Sequence, residues 1–175
     1  MSEPVIIECD VAYPSVSSAL NLVPREFADG YRWFQDHQGE VIPRLPFGRG
    51  KPAEVAYPLA RQSGIHSPKP GIMRYPSRRY AISIHSSDLG MYPDKAPIEL
   101  GDGTWVFDYS SQDNDPSSTR QNYNGWLLDC LEDGIPVGVM TKMKRGGYKV
   151  WGLALSVAAL AFGPLPAMAL LRPMP

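Results

Sequence analysis

The 175-residue chain is long enough for one domain with a hydrophobic core, and its 43% apolar and 20% charged content is that of an ordinary globular protein. A formal net charge of −1 excludes a global attraction to nucleic acid or anionic lipid, so an anion site has to come from local clustering. Two cysteines (Cys9, Cys130) and three histidines (His37, His66, His85) stand in unrelated contexts, which argues against a metal site or a disulfide framework and for free thiols in a reducing cytoplasm. Eighteen prolines and sixteen glycines imply short elements joined by many turns. No basic stretch followed by an apolar run opens the chain, so no secretory signal is expected.

Residues 1–60 form a Pro-punctuated strand/helix segment expected to pack on the domain, with VIIECDVAY as an edge strand. Phe27, Tyr31 and Phe34 recur at helical spacing within Arg25–His37 and predict a short helix, whereas 41–52 reads as a loop. In RRYAISIHSS, Tyr80, Ile82 and Ile84 alternate with Ala81, Ser83 and His85, the pattern of a half-buried strand. A DG turn precedes a second strand, Thr104–Tyr109, expected to pair with the first. The period then changes: Trp126, Leu127, Cys130 and Leu131 share a helix face, and Gly134 is placed to cap that helix. IPVGVMTKMK and YKVWGLALSV, joined by Arg145-Gly146-Gly147, predict a hairpin. The uncharged run from Val150 to Leu171 carries Pro164 and Pro166 and continues a strand pattern, so it reads as a last core strand and an apolar Ala/Pro tail, residues 158–175, rather than a membrane anchor. The order of elements suggests an α+β fold, a small mixed β-barrel with one or two helices.

The chain has no motif for nucleophilic catalysis: G-x-S-x-G is absent, and neither cysteine has a histidine in a familiar setting. GRGK at Gly48–Lys51 lacks the spacing of a phosphate-binding loop. No metal or cofactor is expected, and the chain reads as a non-enzyme. Asp113 and Asp115 fit a solvated loop, whereas Asp108 sits inside an aromatic strand between Phe107 and Tyr109. Basic residues gather at Arg74, Arg78 and Arg79 and again at Lys142, Lys144, Arg145 and Lys149. Interleaved with Tyr75, Tyr80 and the Trp105–Tyr109 strand, they mark candidate phosphate contacts.

The succession SGIHSPKPGI, RRYAISIHSS, LGDGTWVFDYSSQDND, NYNGWLLDCLEDGIPVGVMTKM and GGYKVWGLAL resembles the non-catalytic N-terminal domain of McrA-like, HNH-type, modification-dependent restriction endonucleases. That domain is similar to the SRA (YDG) and PUA-like readers of modified bases. The likeness covers roughly Gly64 to Leu155 and lies in the order of motifs rather than in any one of them. It implies that 61–157 is an SRA/PUA-like β-barrel core that draws a modified base, such as methylcytosine, out of double-stranded DNA into an aromatic pocket. A flipped base needs stacking partners and hydrogen bonds to its Watson–Crick edge, and a carboxylate can accept from the cytosine amine. Carried onto this sequence, the pocket takes Tyr109 with Asp108 or Asp113 as its carboxylate, flanked by Phe107, Trp105, Tyr123 and Asn124. Phosphates would meet Arg74, Arg78, Arg79, Lys142, Lys144 and Arg145.

Two departures stand out. SSQDND replaces the glycine-rich part of the family pattern, and no histidine follows residue 85, so no HNH site is expected in this chain. Cutting would then fall to a nuclease partner, with a homodimer as the other expected assembly, in the cytoplasm. The alternatives are a PUA/ASCH-like RNA-binding domain and a protein-interaction domain whose aromatics lie in the core. Under the pocket reading, Tyr109→Ala is expected to weaken binding and leave the fold intact.

Overall fold

A computed structural model describes residues 16–62, 64–68, 72, 78–86, 97–101, 104–110, 121–160 and 168–173. The expected edge strand at 5–13 lies outside them. After a short helix α1 (Val16–Leu20), the predicted N-terminal helix forms as a 3-10 turn, Arg25–Phe27, running into α2 (Ala28–Asp36). Its periodic residues Phe27, Tyr31 and Phe34 are all buried, together with Trp33. No side chain of α2 caps its N-terminus. Tyr57 does so from a distance, its hydroxyl accepting from the Gly30 amide at 3.2 Å and donating to the Phe27 carbonyl at 2.8 Å, which satisfies an amide that a helix start leaves without a partner.

The strands are β1 (Val41–Ile42), β2 (Gly64–His66), β3 (Ser83–Ser86), β4 (Ile98–Leu100), β5 (Thr104–Ser110), β6 (Val137–Lys142), β7 (Tyr148–Leu160) and β8 (Met168–Pro173), with α3 (Gln121–Asp133) between β5 and β6. They make one mixed sheet in the order β2-β3-β6-β7-β8-β5-β4, with β1 added on β7. The fold is therefore α+β, as expected. The expected barrel is not closed among the described residues: β2 and β4 end the path without pairing to each other.

Four further expectations change. The RRYAISIHSS strand does not pair with Thr104–Ser110; β3 lies between β2 and β6, while β5 lies between β4 and β8. The β3–β6 pair is parallel, which a tight turn cannot produce, and the crossover carries β4, β5 and α3. Residues 80–86 are buried on both faces rather than one, because neighbours on either side and the helices enclose them. Within the 41–52 loop, Val41 and Ile42 form a strand against Lys149 and Tyr148. The C-terminal stretch expected as a loose tail prolongs β7 to Leu160 and returns as β8, which fills the place between β7 and β5. Pro173 sits at the end of β8, where a missing amide is tolerated. Among the described residues, no helix is long and apolar enough to cross a membrane.

The β6–β7 hairpin forms where the Arg145-Gly146-Gly147 turn predicted it. A bulge then shifts its register: Val139 faces Gly152, but Met140 faces Val150, so Trp151 is the extra residue. Gly152 at φ 94° supplies the backbone conformation this needs. α3 ends as its sequence announces, with Gly134 at φ 66° and the Ile135 amide donating to the Cys130 carbonyl at 2.9 Å, a Schellman closure.

Candidate nucleic-acid interface

Tyr123 and Trp126, both half-buried, project from the first turns of α3 with their rings edge to face at 4.7 Å. A guanidinium covers each ring: Arg61 lies 4.8 Å from the Tyr123 centroid, and Arg79 lies 4.2 Å from the Trp126 centroid. Arg61 lies shortly before β2 and Arg79 shortly before β3, so the sheet brings to α3 two cations that are remote from it in sequence. Ring quadrupoles attract and orient guanidinium planes without neutralising them. The Arg79 Nε donates to Ser67 Oγ at 3.3 Å, which fixes that plane further. Neither guanidinium has a carboxylate partner among the described residues.

His66 lies beside this stack. Burial lowers its pKa first; a hydrogen bond to the Pro58 carbonyl at 3.0 Å opposes that, and the charges of Arg61 and Arg79 lower it again. The hairpin adds Lys142, half-buried, with Lys144 and Arg145 exposed; none of the three has an ion-pair partner among the described residues. Lys142 is near enough to His85 to act on its titration.

Arg78 is placed differently. Its Nη1 reaches Asp129 at 3.2 Å and Glu132 at 2.5 Å, and its Nε lies 3.7 Å from Asp133. The hydrogen bond to Glu132 and the surrounding carboxylates raise its pKa. The last turn of α3 has no basic residue of its own while Asp129, Glu132 and Asp133 crowd the negative end of the helix dipole, and Arg78 supplies the missing charge. The Arg79 amide donates to Asp129 at 3.1 Å and the Tyr80 hydroxyl to Asp133 at 2.5 Å, so residues 78–80 are bonded to α3 along its acidic face. Arg78 is a structural clasp whose charge is already committed.

The aromatic strand lies inside. Trp105, Phe107 and Tyr109 share one face of β5, as the strand period requires, and are 3%, 0% and 2% exposed. Tyr109 is thus buried among the core residues, so Tyr109→Ala is expected to cost stability as well as any binding it supports. Asn124 is half-buried at the start of α3. Arg74, Asp113 and the Asp108 side chain lie outside what is described, as does the segment 111–120 that joins β5 to α3. The structure therefore assembles Tyr123, Arg79 and the hairpin cations as candidate surface residues, and adds two that the sequence reading did not assign to binding, Arg61 and Trp126. The spacing of Trp126 says only that it shares a helix face with Leu127, Cys130 and Leu131. Arg61 carries no local signal beyond a cation ahead of a strand, since its partner Tyr123 is supplied by the tertiary fold.

No protein-family model and no curated protein matches the chain. Among solved structures it is similar to the SRA domain of SUVH5 bound to fully hydroxymethylated CG DNA, with 20% identity and a TM-score of 0.47 over 66% of this chain and 77% of that one. It is also similar to an SRA–methylated CHH DNA complex of SUVH5, with 22% identity and a TM-score of 0.46 over 79% and 96% of the two chains. Arabidopsis thaliana SUVH6 in complex with SAM aligns at 19% identity and a TM-score of 0.45 over 79% of this chain and 25% of that one.

Proposed function

We propose that the chain is a non-catalytic reader of DNA that recognises a modified base, of the kind that serves modification-dependent restriction. The observation that carries the proposal is the layered Arg61–Tyr123–Trp126–Arg79 stack, two cations oriented on aromatic faces and without a carboxylate partner among the described residues, in a chain with no net positive charge. Phosphates call for such cations, and they fix register on the duplex without reading sequence. The order of the sequence motifs supplies the second support, since it resembles that of the SRA-like domains attached to HNH nucleases. In this reading Arg61, Arg79, Lys142, Lys144 and Arg145 meet the backbone. The base enters beside Tyr123 and Asn124, with Asp108 or Asp113 accepting from its amine. Phe107 and Tyr109 act as the rigid floor on which that pocket is built. Cleavage falls to a nuclease partner in the cytoplasm, and no cofactor takes part.

The test is fluorescence anisotropy with matched duplexes, methylated and unmodified, across a salt series. The proposal expects tighter binding to the methylated duplex and a linear fall of log affinity with log salt. A fluorescent analogue placed opposite the methylated cytosine should brighten as the base leaves the stack. Equal affinity for the two duplexes refutes base reading. A preference for structured RNA refutes DNA as the partner, and binding that ignores salt refutes the phosphate assignment.

A further inference from the structure

On another part of the molecule, the bulge in β7 sets Trp151 beside Trp105, edge to face at 5.6 Å. The two indoles, with Gln38, Glu99, Lys149 and Val150, line a cleft of about 350 Å³, within the range of small-ligand sites. The Lys149 ammonium lies 3.7 Å from the Trp151 centroid and 2.8 Å from Glu99 Oε1. Trp151 is fixed in turn, its Nε1 donating to Thr141 Oγ1 at 2.9 Å. An aromatic face, a second indole inclined to it at 62° and a carboxylate in reach of the same cation suit the recognition of an alkylammonium. Here the chain's own lysine holds that position. The latch is an accessible one: the Glu99 side chain is 68% exposed and that of Lys149 24%, and surface ion pairs of this kind hold weakly. A methylated ammonium is less well hydrated than lysine and gives up less on entering.

We infer that the Trp105–Trp151–Glu99 cleft is a binding site for a quaternary or methylated ammonium group, which enters by displacing the Lys149 side chain. The site is separate from the Arg61–Arg79 surface and does not depend on the nucleic-acid reading. The same headgroup can come as a free small molecule or as trimethyllysine in a peptide, and the experiment separates these sources.

The full chain, labelled with nitrogen-15, is titrated with tetramethylammonium chloride against a sodium chloride control, and the indole N–H signals of its four tryptophans are followed. The Trp105 and Trp151 signals should move saturably and those of Trp33 should not. Lys149→Thr, which keeps a strand-forming residue, should tighten binding about fivefold by removing the internal competitor, and Glu99→Gln should weaken it about fivefold. A trimethyllysine peptide binding more tightly than tetramethylammonium identifies a peptide source, and equal binding identifies a small molecule; either supports the site. No saturable shift in the parent or in Lys149→Thr overturns it, as does a shift unchanged by both substitutions. Unchanged amide spectra in the two variants establish that each is folded.

Discussion

Tyr109→Ala separates a core role from a pocket role most directly. Tyr109 is 2% exposed and sits on the buried face of β5 next to Phe107, with ring centroids 6.1 Å apart, while β8 flanks it at Ala169. Truncating a buried aromatic to alanine costs about 3–5 kcal/mol, because apolar burial is lost and the surrounding strands close only part of the cavity. Against a total stability of about 5–15 kcal/mol, that is a fifth or more of what holds the domain together. For a chain of this size the melting point should fall by roughly 2–4 °C per kcal/mol, a drop on the order of 6–20 °C. Tyr109→Phe keeps the ring and removes only the hydroxyl, so it should cost no more than about 1.5 kcal/mol. Urea unfolding followed by tryptophan fluorescence, with the slope unchanged between variants, gives both values. If Tyr109→Ala unfolds within about 1 kcal/mol of the parent while losing DNA binding, the core assignment is wrong and the residue belongs to a pocket.

The basic residues should divide by their partners: Arg61→Ala and Arg79→Ala should each reduce the salt slope of DNA binding by about one unit with little effect on melting. Arg78→Ala should do the reverse, lowering the melting point by leaving Asp129, Glu132 and Asp133 facing one another, and less so in high salt. Gly138→Ala should destabilise by about 1–3 kcal/mol, since a Cβ there would stand 2.5 Å from the ring of Phe34, and Phe34→Leu should recover part of the loss. His85, 2% exposed and edge to face with Tyr148, has its pKa pushed down to about 4, chiefly by burial; the backbone of Gln62 and Arg61 opposes this without coming into hydrogen-bonding geometry, and Lys142 adds to it. Between about 4 and the unfolded value of about 6.5, the unfolded chain binds the extra proton, so stability should fall as pH drops through that window. His85→Phe should flatten this slope and leave neutral-pH stability unchanged or higher, a comparison that urea midpoints at the two ends of the window provide.

Much of the local structure is legible from residue spacing. Phe27, Tyr31 and Phe34 announce α2, Gly134 announces the end of α3, and Arg145-Gly146-Gly147 announces the β6–β7 hairpin, because each depends on contacts between near neighbours in the chain. The absence of a global positive charge is equally a property of the sequence, and it required any anion site to be local. Tertiary structure decided the rest. Strand alternation placed Trp105, Phe107 and Tyr109 on one face of β5, but only the pairing of β5 with β4 and β8 made that face the interior. Whether an arginine is a clasp or a free cation depends on what faces it: Arg78 and Arg79 are adjacent in sequence, yet one meets three carboxylates and the other an indole. The apolar C-terminal run gave a hydropathy that a tail, an anchor and a buried strand share. Its place between β7 and β5 resolved that ambiguity, because only there do its backbone groups find partners on both sides.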